Sequence, residues 1–185
     1  MNDALFVADS VGVTFGRKEV LKAATFWLRP GKVTVLLGRN GSGKTTLIRA
    51  SLGLTRMDYG TVRFGPCLFL RPRLAHLARS GLYFLPDQAS LARGCMLRWH
   101  LQAVERRFTG TGGSNVAARL GLEHLLDHAP FQMSGGDERK AELAVALARR
   151  PTCLLADEPF NGMAPRDRES VAQAIRGLAA AGSAV

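Results

Sequence analysis

At 185 residues the chain is long enough to bury the core of one ordinary domain without disulfides or a structural metal. Hydrophobic residues make up 46% and charged residues 22%, which excludes a wholly disordered or fibrous chain, and no apolar run approaches the ~20 residues of a membrane span. The net charge of +10 is uneven: residues 1–90 carry 13 basic and 5 acidic side chains, residues 91–185 carry 12 and 10. Such a field suits phosphates, nucleic acid or anionic headgroups, and equally a plain solvated basic surface.

The N-terminus, MNDALFVADS, lacks the basic region and apolar core of a secretory signal, which places the mature chain in the cytoplasm. Cys67, Cys95 and Cys153 are odd in number and form no C-x-x-C pair, so buried free thiols are expected rather than a disulfide framework or zinc knuckle. Residues 5–15 and 24–28 read as an antiparallel β segment, with a turn-like GRKE and a helix-ambiguous VLKA between them. The run KVTVLL at 32–37 predicts a strand buried on both faces of a parallel sheet. A glycine loop follows, then a helix over TTLIRASLGL that Gly53 ends.

GTVRFG and CLFL continue the β pattern, and GLYFLP at 81–86 is another short apolar run. Between Arg56 and Arg79 lie five arginines and one aspartate, a patch that could face anionic lipid. Residues 91 to about 128 predict helical pieces split by a flexible FTGTGGSN at 108–115. From Glu138 to Arg150 the spacing sets Ala141, Val145 and Ala148 on one face of a helix and the charges on the other, and Pro151 stops it. The strand CLLA and a last helix over roughly 167–180 complete the order.

Three motifs carry chemistry. GRNGSGKTT at 38–46 satisfies G-x-x-x-x-G-K-[ST] through Gly38, Gly43, Lys44 and Thr45. Glycines let Arg39, Asn40, Gly41, Ser42 and Thr46 turn their backbone N–H groups inward on a phosphate, and the following helix adds its positive end. Lys44 supplies a mobile cation for the β- and γ-phosphates, and the Thr45 hydroxyl is placed for Mg²⁺. In CLLADEP, Asp157 and Glu158 stand just beyond a strand, where one carboxylate can hold the metal and its neighbour can orient or deprotonate water. MSGGDERK puts Ser134, Gly135 and Gly136 at a helix start, with Ser134 as candidate N-cap.

Taken together and in this order, the motifs resemble those of ATP-binding cassette (ABC) ATPase domains over nearly the whole chain. GRNGSGKTT resembles the Walker A loop, Gln88 in LPDQ the Q-loop glutamine, MSGGD the LSGGQ signature, and CLLADEP the Walker B strand ending in the catalytic glutamate, Glu158. The resemblance implies an α/β P-loop NTPase: a RecA-like parallel-sheet core, an N-terminal antiparallel β subdomain, and a small helical subdomain at about 91–135 within a single domain, 1–185. It implies ATP and Mg²⁺ as cofactors, with Thr45, Gln88 and Asp157 at the metal. Phe15 stands where the family stacks an aromatic on adenine, although an aromatic on a strand also serves a core. Two such domains sandwich two ATP molecules, so Ser134, Gly135 and Gly136 would contact the partner's γ-phosphate.

The implied function is the ATPase subunit of an ABC transporter, peripheral on the cytoplasmic face of the membrane and coupled through the Gln88 region to separate membrane-spanning subunits. The alternatives are a soluble ABC ATPase acting on nucleic acid or the ribosome, and a non-hydrolysing ATP sensor. Absence of aromatic-basic interleaving and of a long coiled-coil insertion argues against nucleic acid. Several positions depart from the family. Met133 and Asp137 flank the signature in place of leucine and glutamine, and a D-loop usually reading SALD reads NGMA, with Ala164 at the aspartate position. The family's switch histidine follows one more strand, whereas His76, His100, His124 and His128 all precede Asp157. The expectation is a C-terminally incomplete domain, the alternative being a naturally short product that binds ATP with little turnover; the 185-residue chain alone is expected to aggregate or to bind ATP without appreciable hydrolysis.

Overall fold

The computed structural model describes residues 3–109 and 113–185. Strands β1 (Phe6–Phe15), β2 (Lys18–Leu28), β3 (Tyr59–Phe64) and β4 (Cys67–Phe69) form an antiparallel sheet in the order β2-β1-β3-β4. Its register is set at Phe6, which pairs with Leu28 on one side and Phe64 on the other, and the Phe6, Phe26 and Phe64 rings cluster. The helix-ambiguous VLKA lies inside β2, since pairing with β1 outweighs the weak helix propensity of so short a piece.

Helix α1 (Lys44–Ser51) follows the glycine loop, α2 (Leu74–Arg79) precedes β5 (Leu82–Leu85), and β5 pairs in parallel with β6 (Cys153–Ala156). Side chains of this pair alternate between two cores. Leu82, Cys153 and Leu155 join Phe6, Val11, Val62, Ile48 and Leu77 under the antiparallel sheet, whereas Leu85 and Leu154 join the helical core. That second core is built by α3 (Leu97–Val104), α4 (Gly113–Arg119), α5 (Gly135–Ala148) and α6 (Pro165–Ala180). The parallel pair is therefore the wall on which everything else packs.

The region expected to be helical in pieces is so, but less of it is broken than expected. A π-helical turn, Glu105–Thr109, extends α3 through part of FTGTGGSN, and α4 begins at Gly113; the rest of that run, 110–112, lies outside the described residues. In the π-helical turn, Phe108 stacks on the Arg149 guanidinium at 4.3 Å.

Two expectations fail. Cys67 and Cys95 are exposed, because they sit at the start of edge strand β4 and in a loop, and only Cys153 is buried. More consequential is KVTVLL, which has no strand conformation; Val35 and Leu37 are 68% and 84% exposed. A doubly buried strand needs bonded neighbours along its length, and among the described residues only 31–34 of this stretch bond to one. The tail Ser183–Val185 threads between the two segments: the Gly31 and Thr34 N–H groups donate to the Ser183 and Val185 carbonyls at 3.0 and 2.7 Å, and the Leu154 N–H donates to Ala184 at 2.9 Å. Residues 33–36 and 154–158 border an open apolar slot of about 450 Å³.

Candidate nucleotide-binding site

The phosphate loop hangs between β2 and α1. Gly41 and Gly43 take φ of 79° and 95°, and a Cβ on Gly43 would stand 2.9 Å from the Leu21 side chain, so glycine serves both the turn and the close approach to β2. Lys44 opens α1 and bends back, its Nζ donating to the Gly38 and Arg39 carbonyls at 2.8 and 3.1 Å. Its ammonium thus lies across the glycine loop. Residues 31–40 stand in solvent, while Leu47 and Ile48 anchor α1 in the antiparallel core.

Thr45 and Asp157, 112 residues apart, are joined directly: the Thr45 hydroxyl donates to Asp157 Oδ1 at 3.2 Å. Asp157 is only 4% exposed, its N–H donates to the Leu85 carbonyl at the end of the parallel ladder, and its Oδ2 is buried without a partner. Burial pushes its carboxyl above the usual range, the Thr45 hydrogen bond and Arg139 oppose this, and the negative charges of Asp87 and Glu158 add to the rise. A buried carboxylate oxygen without a hydrogen bond, beside a hydroxyl, fits a hard divalent cation such as Mg²⁺.

Glu158 is exposed beside this pair with φ of 46°, a left-handed conformation that side chains rarely adopt. Gln88 is exposed three residues beyond β5, with no contact to Asp157 among the described hydrogen bonds. Phe15 ends β1 at 54% exposure, so it is not a core residue. Ser134 caps α5 as the sequence predicts, although the helix starts at Gly135 rather than Glu138: Ser134 Oγ accepts from the Asp137 N–H at 3.2 Å and donates to Asp137 Oδ2 at 2.7 Å. Asp137 also pairs with Lys140 at 2.8 Å. Burial works to raise its carboxyl, but the Lys140 and Ser134 hydrogen bonds outweigh it and hold the group below the usual range.

The two signature glycines differ. A Cβ on Gly135 would meet nothing within 4 Å, whereas one on Gly136 would stand 3.0 Å from the Gly162 carbonyl. Gly135→Ala should therefore raise the melting temperature, by up to ~1 kcal/mol of helix propensity, and Gly136→Ala should lose that gain to the contact with Gly162. Calorimetry on the pair checks it; equal shifts would remove the close approach as the reason for Gly136. Ala164 is the N-cap of α6 and offers no side-chain acceptor. Ala164→Asp is expected to stabilise the fold by ~1 kcal/mol, read as a higher urea midpoint.

Sequence reasoning missed Arg139, Glu142 and Ser90. The spacing assigned α5 charges to a solvated face, yet Arg139, Lys140 and Glu142 are all buried, and Lys140 reaches Asp167 of α6 at 3.5 Å as well as Asp137. Only the absence of an apolar residue at 139 and 142, on a helix that must pack on all sides, could have signalled it.

The architecture and the site define a P-loop NTPase of the ABC class. The sequence profile of the family described as ABC transporter matches residues 21–161, and the chain belongs to that family. Among curated relatives it is 33% identical to the Nod factor export ATP-binding protein I of Paraburkholderia xenovorans, over 100% of this chain and 62% of that protein. It is 34% identical to the zinc import ATP-binding protein ZnuC of Pseudomonas putida, over 88% of this chain and 59% of that one. Thus the chain spans about three fifths of the length of these relatives. Among solved structures, an ATP-binding subunit of an ABC transporter superposes with a TM-score of 0.81 at 23% identity, covering 97% of this chain and 77% of the other. A nucleotide-free ATP-binding cassette gives the same score at 22%, covering 97% and 79%.

Proposed function

We propose that the chain is the ATP-binding and ATP-hydrolysing part of an ABC transporter, driving transport through separate membrane-spanning subunits. The observation that carries the reading is the Thr45–Asp157 contact, with Asp157 Oδ2 buried and unpartnered beside the phosphate loop. Thr45 and Asp157 would hold Mg²⁺, joined by Gln88 from the segment after β5, and the ion would neutralise charge on the β- and γ-phosphates. Lys44 binds the same phosphates, and Glu158 orients and deprotonates the attacking water. Phe15, exposed at the end of β1, stacks on adenine. Ser134, Gly135 and Gly136 contact the γ-phosphate bound by a second cassette, and the open space over Gly135 leaves room for it. ATP shared by two subunits then favours the closed pair, and its hydrolysis releases it.

This reading places the protein on the cytoplasmic face of a membrane, held by its partners. Among the described residues no helix is long and apolar enough to cross a bilayer. The relatives' names speak of Nod factor export in one case and zinc import in another, so likeness at this level assigns no cargo. The test is affinity capture of the full gene product carrying Glu158→Gln, with ATP and Mg²⁺, from detergent-solubilised cells. A polytopic membrane protein held in an ATP-dependent manner is expected. Ribosomal or nucleic-acid components that leave with salt would replace the reading, and would turn attention to the exposed Arg56, Arg71, Arg73 and Arg79.

A further inference from the structure

Arg139 and Glu142 lie one turn apart on α5 with 5% and 2% of their side chains exposed, Arg139 Nη1 donating to Glu142 Oε2 at 2.9 Å. Two charges taken out of water are costly, and a well-packed apolar pair stabilises a fold at least as well, so stability does not account for the pair. Its connections do. The same Nη1 also donates to the Pro86 carbonyl, and Nη2 donates to the carbonyls of Asp157 and Glu158, the latter at 3.2 Å. From the other end, Glu142 Oε1 accepts from both the N–H and the hydroxyl of Ser90, the hydroxyl at 2.9 Å.

One buried ion pair therefore grips Pro86 and Ser90, the two ends of the segment that carries Asp87 and Gln88, and also the backbone of the acidic pair. A guanidinium is planar and rigid, so it cannot follow one set of acceptors without disturbing the other. Glu158 is where such a disturbance matters most, because its left-handed φ of 46° persists only while surrounding bonds impose it. Two hydrogen bonds on its carbonyl do so, from Arg139 and from the Asn161 N–H at 3.1 Å.

We propose that Arg139 and Glu142 are positioning residues: their ion pair couples segment 86–90 to the Glu158 backbone, so that displacement of that segment redirects the Glu158 carboxylate. The consequence for hydrolysis rests on the proposed role of Glu158; the mechanical coupling does not. It also singles out an element that senses 86–90 from inside the domain, independent of what touches Gln88 from outside.

Amide hydrogen exchange on the full chain, without nucleotide, tests the coupling. Among the described residues the Glu142 carboxylate bonds to Ser90 and Arg139 and to none of 157–161, yet Glu142→Gln should speed exchange at 157–161 at least tenfold, as well as at 87–90, while β1 keeps its protection. Arg139→Lys, which keeps the charge but not the fork, should loosen both segments equally. Should either variant melt early, Arg139→Met with Glu142→Leu removes both charges together; its melting temperature should recover while both segments still exchange fast. Loosening confined to 87–90 in Glu142→Gln, or native exchange at 157–161 in the recovered double variant, would overturn the proposal. A merely structural defect would instead raise exchange throughout β1. In the hydrolysing assembly, kcat should drop at least tenfold at unchanged KM for ATP, and a matching rise in KM would count against positioning. Because exchange is read without ATP, an inactive Glu158 would overturn the functional reading and leave the coupling result standing.

Discussion

Lys44→Ala is expected to weaken ATP binding by about a hundredfold, roughly 2.7 kcal/mol, whereas Glu158→Gln leaves affinity within about threefold. The difference follows from position. Lys44 opens α1, and its Nζ lies 2.8 Å from the Gly38 carbonyl and 3.1 Å from that of Arg39, across the glycine loop proposed to cradle the phosphates. Removing it takes away the cation that lies across that loop, and the backbone dipoles must then hold more of the triphosphate charge. Glu158 lies two residues past β6, and a neutral amide there retains the shape of the site while losing the base proposed for hydrolysis. Equilibrium titration with a fluorescent ATP analogue measures both variants on one scale. Equal loss in the two would contradict this division of labour, and equal retention would move the phosphates away from residues 38–46.

The parts of this site that lie close in sequence are legible in it, because their chemistry is local. Gly43 and Lys44 act within one loop, Ser134 caps the helix that begins at the next residue, and Asp157 and Glu158 follow directly on a strand. The meeting of Thr45 with Asp157 is also anticipated, through family resemblance rather than through spacing, and the 3.2 Å contact agrees with it. What the sequence hides is what other segments must supply. KVTVLL has the composition of a doubly buried strand, but composition cannot report which of its residues find a bonded neighbour, and here Lys32 and Thr34 bond to Val185 while Val35 and Leu37 are exposed. LYFL at 82–85 and CLLA at 153–156 have the same character and do become that strand pair, since each is the other's neighbour.

Charges on α5 fail in the opposite direction. Arg139 and Glu142 at i and i+3 look like an ordinary surface pair worth a few tenths of a kcal/mol. In the fold they face Pro86, Ser90 and the Walker B carbonyls, and the helix is buried nearly all round from Arg139 to Ala148. The D-loop departure was visible as Ala164, and its structural meaning is an uncapped α6. Asp137, at the altered signature position, turns out to be paired with Lys140 and Ser134, so its charge is already answered within its own helix.

Asp157→Asn is expected to make the protein more stable at neutral pH and at the same time to lower its Mg²⁺ affinity in the presence of ATP at least about tenfold. Burial is the largest influence on Asp157 and raises its carboxyl above the ordinary 3.8, with the Asp87 and Glu158 charges adding to it and the Thr45 hydrogen bond opposing it. The folded chain therefore holds this proton more tightly than the unfolded chain. Between 3.8 and the raised folded value the native state binds more protons, so stability falls as pH rises through that window, and the cost is present in full above it. An amide has no charge to bury and still accepts the Thr45 hydroxyl through its oxygen. The gain in melting temperature should thus be clear at pH 7 and should vanish below 3.8, where Asp157 is itself neutral. Calorimetry across that range, paired with Mg²⁺ titration of nucleotide binding, reads both effects. A lower melting temperature at pH 7 would mean that Thr45 and Arg139 already compensate the charge, and the site would then be built for the carboxylate rather than strained by it.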